Sequence, residues 1–349
     1  MRGTGTGLLR AGLNPGDRVL MRLGNTVEFP IAYLGAIAVG LIPIPTSSQL
    51  TEPEVAGILN TTQPAMILRA EGVPCPDTDI PTLTESSLEA MRALPPADWD
   101  MGDPDRPAYI IYTSGTSGIP RAVVHAHRAI WARQMMFDGW YGLRPDDRLC
   151  HAGAFNWTFT LGTGLMDPWT IGATALIAAA PGVYRKLVQP GQRLDLPHLR
   201  HGLAAGEKLS DTIRQHWQDA TGTPIFEAYG MSECSTFISG SPEHTAAPGT
   251  LGRPQTGRRV AILADGTPAP LGTEGTIAIH RSDPGLMLGY LGAPEATAEK
   301  FTGDWFLTGD QGMMNASGHI TYLGRADDMM NAGGYRVSPM EVEAVLSTH

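Results

Sequence analysis

Short strand-like runs alternate with helical runs in the N-terminal part of the chain, and this alternation restricts the fold more than any other feature of the sequence. Residues 17–23 and 65–70 are apolar enough for buried strands, whereas the Ala-rich run 31–39 and residues 52–59 suit helices. Strands that alternate with helices pack as a mostly parallel sheet with helices on its faces. We therefore predict an α/β fold with large, doubly wound, mostly parallel sheets over residues 1–248.

The pattern continues through the middle of the chain and then changes. A strand at 108–112 precedes a helix near 128–137, and a further helix is predicted at 209–219. From residue 249 to 324, short strands are separated by Gly and Pro. Such spacing predicts a small, β-barrel-like unit after the α/β part.

Composition and charge describe an ordinary globular protein. The chain of 349 residues, 42% apolar and 17% charged, is long for one core, so two or more packing units are expected. A net charge of −10 argues against nucleic-acid binding.

Two further features bear on where the protein is found. Residues 29–45, the most apolar stretch, are too short to span a bilayer as a helix. The three cysteines, Cys75, Cys150 and Cys234, match no disulfide or metal spacing. We expect a soluble, cytoplasmic protein without membrane insertion, and a homo-oligomer stays an open alternative.

A loop of Gly, Ser and Thr follows the strand at 108–112. Residues 113–118 have the sequence TSGTSG and lead towards the predicted helix at 128–137. At the carboxyl end of a parallel strand, such a loop offers backbone N–H groups and hydroxyls to a polyphosphate. Taken alone, it is more often a flexible surface turn, and it lacks the Lys of the P-loop NTPase motif. The GTGTG run at 3–7 fits no nucleotide motif and carries no prediction.

Three further segments follow the loop in order. The segment at 227–235, EAYGMSECS, sets an aromatic residue, a hydroxyl and a carboxylate close together. The segment at 303–312, GDWFLTGDQG, places Asp310 at a Gly turn. The third segment, at 322–343, is YLGRADDMMNAGGYRVSPMEVE. The loop at 113–118 resembles the phosphate loop of the adenylate-forming superfamily. The three later segments resemble, in order, its aromatic-glycine-hydroxyl-glutamate motif, its ribose-binding motif and its hinge. The resemblance covers nearly the whole chain and favours the acyl-CoA synthetase, or acid–CoA ligase, branch.

This resemblance implies a reaction and its ligands. A carboxylic acid would be joined to AMP from ATP with release of pyrophosphate, and the acyl group would then pass to CoA. ATP, Mg²⁺, CoA and a small-molecule carboxylic acid are therefore the expected ligands. The implied catalytic residues are Thr113, Ser232, Glu233 and Arg325. Glu233 would also bind Mg²⁺, a cation that prefers oxygen ligands.

Binding residues follow from the same resemblance. The phosphates would be held by Thr113, Ser114, Gly115, Thr116, Ser117, Gly118 and Arg121, with Arg121 in the place of the family's usual Lys. Adenine and the α-phosphate would contact Tyr229, Gly230, Met231 and Ser232. Asp310 would bind the ribose, and Arg325 the ribose or a phosphate. The acyl and adenine pockets would be lined by Ala205, Gly206 and Glu207, and the pantetheine of CoA would pass Gly333 and Gly334.

The acyl site is expected in HAGAFNWTFTLGTG at 151–164. Phe155, Trp157 and Phe159 are the candidate substrate-binding residues, with Trp157 as the gate. Because bulky side chains shorten a tunnel, they indicate a short or aromatic acid over a long fatty acid. An aromatic cluster of this kind is more often simply core.

Other features depart from the family pattern. Asp327 matches the hinge position, and residues 325–349 would be the hinge and the start of a small C-terminal α+β domain, of which the rest and its catalytic lysine are absent. A gap is suspected near residue 178. Two alternatives therefore stay open: an adenylation enzyme with an acceptor other than CoA, and a catalytically incomplete nucleotide-binding relative or fragment.

A basic cluster after residue 250 also has two interpretations. It consists of Arg253, Arg258 and Arg259. These side chains would either meet the phosphates of CoA or form a solvated rim.

Overall fold

Two units make up the chain, and the polypeptide passes through both more than once. The first contains Met1–Arg133, Arg144–Ala178 and Met287–Pro294, and the second contains Gln134–Leu143, Ala179–Leu286 and Glu295–His349. The computed structural model describes residues 1–113, 120–151, 153–156, 159–176, 184, 187–188, 191, 193–206, 208–326, 330–332 and 335–337. The domain boundaries predicted near residues 248 and 324 stay predictions.

A four-stranded parallel sheet in the order β2-β1-β3-β4 lies in the first unit. Its strands are β1 (Arg18–Arg22), β2 (Ile42–Pro45), β3 (Met66–Arg69) and β4 (Thr82–Thr84). Helices α2 (Glu28–Ala38), α3 (Glu52–Thr62) and α4 (Glu85–Met91) connect or follow these strands. The strands and helices predicted in this part of the sequence are confirmed, with ends that differ slightly.

Local sequence explains these elements. Val19, Leu20 and Met21 in β1 are all fully buried, as the central strand of a sheet covered on both faces requires. Helix α3 begins at a capping box, in which the Glu54 carboxylate accepts a hydrogen bond of 2.8 Å from the backbone N–H of Thr51.

Helix α1 (Arg2–Arg10) was not predicted, because its GTGTG run has poor helix propensity. The small residues allow close packing instead. A Cβ on Gly5 would lie 3.0 Å from the carbonyl oxygen of Gly35 in α2, and one on Gly7 would lie 2.2 Å from the side chain of Met91 in α4. The run that fits no nucleotide motif is therefore a helix-packing surface.

The predicted phosphate loop connects two antiparallel strands. β5 (Pro107–Thr113) pairs with β6 (Arg121–Ala126), and β6 also pairs with β16 (Gly289–Tyr290). The expectation that the loop leads from a parallel strand to a helix was wrong, because the apolar run after the loop forms a strand of this antiparallel sheet. Helix α5 begins only at His127 and ends at Ala132, short of the predicted residue 137.

The remainder of the first unit contains a parallel pair and a short helical region. β7 (Arg148–Cys150) pairs with β8 (Thr174–Leu176), and between them lie a π-helical segment, Thr160–Met166, and helix α6 (Asp167–Thr170). A buried ion pair joins α6 to the end of α5. Arg133 Nε and Nη2 each donate to the Asp167 carboxylate over 2.7 Å, with both side chains at most 3% exposed.

Two sheets form the framework of the second unit. One has the order β12-β11-β10-β9, made of β9 (Gly202–Ala205), β10 (Ile225–Met231), β11 (Ser235–Ser239) and β12 (Arg253–Pro254). Only β9 and β10 are parallel, and helix α7 (Asp211–Thr221) connects them. Helix α7 confirms the helix predicted at 209–219, and the hydroxyl of Ser210 caps its N-terminus.

The other sheet is antiparallel and six-stranded. Its strands are β13 (Val260–Ala264), β14 (Thr267–Pro268), β15 (Glu274–His280), β17 (Phe301–Thr302), β18 (Trp305–Met314) and β19 (Ile320–Arg325). This sheet confirms the short strands predicted after residue 249. β20 (Met330–Ala332) and β21 (Tyr335–Val337) form a separate antiparallel pair.

Candidate active site

A tight hairpin of β10 and β11 carries the predicted aromatic-glycine-hydroxyl-glutamate motif. β10 ends at Met231 and β11 begins at Ser235, so Ser232 and Glu233 lie in the turn between them with half-buried side chains. Gly230 is required here, because a Cβ at this position would lie only 2.2 Å from the carbonyl oxygen of Ser235. The hairpin thus brings a hydroxyl and a carboxylate together at one turn.

Asp310, the predicted ribose-binding residue, lies in β18 among three polar side chains. The hydroxyl of Tyr229 donates a hydrogen bond to Asp310 Oδ2, and the hydroxyl of Tyr322 lies 3.4 Å from Oδ1. Arg325 Nη1 lies 3.5 Å from the same oxygen, and Arg325 is also paired with Asp310 across β18 and β19. Because Asp310 is only 8% exposed, these groups replace much of the water that a carboxylate needs.

Electrostatics fixes the role of Tyr229 in this group. Burial raises the pKa of its hydroxyl well above the ordinary value, and the neighbouring Asp310 charge raises it further. Tyr229 therefore keeps its proton and acts as a donor. Its ring packs edge-to-face on Phe237, with centroids 5.3 Å apart, and lies 6.1 Å from the ring of Tyr322.

Four side chains of the second unit are thus brought together: Tyr229, Asp310, Tyr322 and Arg325. We refer to them as the Asp310 cluster. It offers a carboxylate to vicinal hydroxyls, aromatic faces to a base and a guanidinium to a phosphate. This combination suits a nucleotide.

In the first unit, two strand residues flank the predicted phosphate loop. Thr113 and Arg121 are paired directly across β5 and β6, and both are half-buried. The Arg121 guanidinium lies 5.1 Å from the ring centroid of Tyr290, a cation–π contact that orients it. Residues 114–118 lie outside the described part of the chain.

Two of the three aromatic candidates for the acyl site can be placed. Phe155 packs on Phe29 with ring centroids 5.5 Å apart, and Asn25 accepts a hydrogen bond of 2.9 Å from the Phe155 backbone. Phe159 meets the ring of His151 edge-on at 5.0 Å. Burial lowers the pKa of His151 to about 4, so this imidazole is neutral at physiological pH.

A carboxylate of β10 anchors the segment that was predicted to line the acyl and adenine pockets. Ala205 ends β9 in a buried position, and Gly206 follows with φ of +96°. Beyond it, Glu227 accepts hydrogen bonds of 3.0 Å from the Leu209 backbone and from Arg214. Burial raises the pKa of Glu227, against the lowering effect of these donors.

The described residues fit Mg²⁺ as a cation shared with phosphates. Among them, no group of three or more His, Cys, Asp or Glu side chains could enclose a metal ion. Mg²⁺ is commonly bound by one or two carboxylates together with substrate phosphates and water, and a half-buried carboxylate at a turn suits that arrangement. Glu233 is such a carboxylate.

Several predicted residues lie outside the described part of the chain. They are Ser114, Gly115, Thr116, Ser117, Gly118, Trp157, Glu207, Asp327, Gly333 and Gly334. The suspected gap near residue 178 also lies there. Their roles stay predictions.

Two interpretations of polar residues change with the structure. Tyr322 was not singled out from the sequence, because only the register of β19 on β18 brings it to Asp310. Arg258 was assigned to a rim or to CoA phosphates, and both interpretations were wrong because its side chain is fully buried. Arg253 and Arg259 are exposed.

The comparison with protein families decides the identity of the chain. A family model described as AMP-binding enzyme matches residues 2–180 and 173–291. The chain belongs to the AMP-binding enzyme family. The motifs at 113–118, 227–235 and 303–312 had predicted this membership.

Individual members of the AMP-binding family are similar over almost the whole chain. The mitochondrial acyl-coenzyme A synthetase ACSM2B of Homo sapiens is 30% identical over 97% of this chain and 67% of its own length. The benzoate–CoA ligase of Thauera aromatica is 29% identical over 97% of this chain and 72% of its own. These relatives place this AMP-binding enzyme in the acid–CoA ligase branch.

A solved structure supports the fold. The anthranilate CoA ligase AuaEII, crystallised with anthranoyl-AMP, superposes with a TM-score of 0.88 at 24% identity, over all of this chain and 75% of that one. At this identity, the likeness concerns the fold alone. No helix in the described part of the chain is long and apolar enough to cross a membrane.

Proposed function

We propose that this AMP-binding enzyme is an AMP-forming acid–CoA ligase. A carboxylate oxygen of the acid attacks the α-phosphorus of ATP, the bond to the β-phosphate breaks, and pyrophosphate leaves. The sulfur of CoA then attacks the acyl carbon of the acyl-adenylate, and AMP leaves as the thioester forms. The observation that carries the proposal is the Asp310 cluster, found in a chain whose relatives are acid–CoA ligases.

Nucleotide binding is assigned to five side chains, each by its own chemistry. Asp310 accepts hydrogen bonds from the ribose hydroxyls in place of those from Tyr229 and Tyr322, and the Tyr229 ring lies against adenine. Arg325 supplies positive charge to the ribose or a phosphate. Thr113 and Arg121, together with the loop that they flank, hold the β- and γ-phosphates. The guanidinium of an Arg suits this role because it can form two parallel hydrogen bonds to one phosphate.

Ser232 and Glu233 are assigned to the reacting phosphate. The Ser232 hydroxyl donates to the α-phosphate as negative charge builds on its oxygens. The Glu233 carboxylate would hold Mg²⁺, which when bound would neutralise phosphate charge.

The acid is proposed to be short or aromatic. Phe155, packed on Phe29, and Phe159, packed on His151, fill the region assigned to the acyl group with rings. Rings shorten a pocket and favour a flat partner, for which offset or edge contacts are favourable. The benzoate ligase among the relatives supports the same substrate class.

The cell compartment is part of the proposal as well. Cys75, Cys150 and Cys234 are free thiols, and two of them are buried. This agrees with a reducing compartment such as the cytoplasm.

The test is acid-dependent release of pyrophosphate. The protein is incubated with ATP, Mg²⁺ and a panel of acids, from acetate and hexanoate to benzoate and hydroxybenzoates, each with and without CoA. Acid-dependent release of pyrophosphate and AMP that rises with CoA is the expected result, with benzoates ahead of hexanoate. Release without an effect of CoA would favour another acceptor, and ATP binding without release from any acid would favour a nucleotide-binding protein without turnover.

A further inference from the structure

A fully buried ion pair lies directly behind the turn that carries Ser232 and Glu233. Arg258 Nη1 donates to Asp283 Oδ1 over 2.8 Å, and neither side chain is exposed. The thiol of Cys234 lies 3.7 Å from Arg258 Nη1 and 3.8 Å from Asp283 Oδ1. The two opposite charges neutralise each other, and both side chains also form hydrogen bonds with backbone groups.

Arg258 also contacts the backbone of the hairpin formed by β10 and β11. Its Nη2 donates to the carbonyl oxygen of Thr236 over 3.0 Å and lies 3.5 Å from that of Cys234. These two carbonyls flank Ser235, which has a positive φ of 61°. Residues other than Gly, Asn and Asp rarely adopt this conformation, and it persists only where the surroundings impose it. Arg258 contacts the backbone on both sides of Ser235.

Asp283 is fixed in turn by two backbone N–H groups. Its Oδ2 accepts a hydrogen bond of 3.0 Å from the Arg259 backbone, and its Oδ1 accepts one of 2.8 Å from that of Gly285. Gly285 leaves room for the guanidinium, because a Cβ there would lie 1.9 Å from Arg258 Nη1. The Asp283 carboxylate thus orients the Arg258 guanidinium, and the guanidinium in turn holds the backbone beside the turn that carries Glu233.

We propose that Arg258 is a positioning residue that sets the place of Glu233, and through it the binding of ATP with Mg²⁺. The proposal rests on the function assigned above to Glu233. Its chemical basis is the planar fork of an Arg, which can bond one carboxylate and two carbonyls at once. A Lys supplies the charge but not that geometry.

The experiment measures ATP affinity by calorimetry with Mg²⁺ and again with EDTA, on the whole chain. The quantity of interest is the ratio of the two dissociation constants. In Arg258→Lys, the strengthening of ATP binding by Mg²⁺ should be about tenfold smaller than in the wild type, as it should be in Glu233→Gln. The affinity of Arg258→Lys for ATP in EDTA should stay at the wild-type value. A role in stability alone would not change this ratio.

The first unit provides a matched control. Arg133 forms a similar buried pair with Asp167, and neither residue belongs to the proposed machinery. Arg133→Lys should lower Tm about as much as Arg258→Lys and keep the full Mg²⁺ effect. If Arg258→Lys does not fold, Arg258→Met/Asp283→Asn, which removes both charges, is measured in its place.

The outcomes separate the two levels of the argument. An unchanged Mg²⁺ effect in the Arg258 variant, beside a lost effect in Glu233→Gln, would overturn the positioning role and leave the proposed function standing. A wild-type chain that binds no ATP would overturn the function and the positioning role together.

Discussion

Replacing Gly230 by Ala should open the hairpin that carries the predicted catalytic turn. A Cβ at residue 230 would lie 2.2 Å from the carbonyl oxygen of Ser235 and 2.5 Å from the Cα of Thr236. The first distance is about 1 Å shorter than an ordinary contact, and the obstacle is backbone, which cannot rotate away. The strands must therefore separate where Gly230 pairs with Thr236 and Met231 with Ser235.

The cost can be worked out from these contacts. Overpacking costs about 1–3 kcal/mol, and each weakened backbone hydrogen bond adds about 1 kcal/mol, so we expect a loss of about 3 kcal/mol in the free energy of unfolding. For a unit of this size, such a loss lowers Tm by about 6–12 °C. Because Ser232 and Glu233 lie in the displaced turn, the affinity for ATP with Mg²⁺ should fall as well.

Gly57→Ala is the matched control for this experiment. Gly57 lies in the exposed part of α3 and has nothing within 4 Å of its added Cβ. The same substitution should stabilise the protein there by about 0.5–1 kcal/mol. Thermal unfolding and ATP calorimetry of both variants check the prediction. A Gly230→Ala protein with an unchanged Tm would refute the reasoning, because it would show that the hairpin absorbs a methyl group between its strands.

Three further predictions concern ionisable groups. Asp310→Asn should weaken ATP binding about 10- to 100-fold in calorimetry, because charge-assisted hydrogen bonds to the ribose become neutral ones; an unchanged affinity would remove Asp310 from the nucleotide site. The pKa of His151 is lowered from its ordinary value of 6.5 to about 4 in the folded state. Between pH 6.5 and pH 4, the unfolded chain therefore binds a proton on this imidazole more readily than the folded chain does. Stability should therefore fall by up to about 3 kcal/mol as the pH drops from 6.5 to 4, and His151→Gln should flatten this slope in unfolding curves measured across that range. Asp167→Ala should cost about 3–5 kcal/mol in urea denaturation, because it leaves Arg133 charged and buried, whereas Arg133→Met/Asp167→Ala should cost less.

Periodicity predicted the regular elements well, because burial and period depend on local sequence. The strands near 17–23 and 65–70 and the helices near 52–59 and 209–219 formed as expected. The predicted helix at 128–137 ended at Ala132, and the loop after Thr113 led to a strand. The second error arose because the run after the loop pairs with β5 and also with β16, a segment far along the chain that no local pattern reveals.

The candidate site shows the same division. Asp310, Tyr229 and Arg325 were predicted from motifs, and the structure brings them together. Tyr322 joins them only through the register of two strands. Arg258 looked like one member of an exposed basic cluster, and its burial depends on Asp283, which follows 25 residues later. Motifs identify groups that touch ligands, whereas the residues that support them are found from packing.

Helix α1 also has a consequence for the order in which the protein folds. Three of its nine residues are Gly, so an isolated α1 is far from stable in water. Its packing partners, α2 and α4, begin at Glu28 and Glu85. During synthesis this segment must therefore wait in an unfolded form until at least Met91 has been made. A chain shortened before that point should leave α1 open to proteases, although every residue of the helix is present.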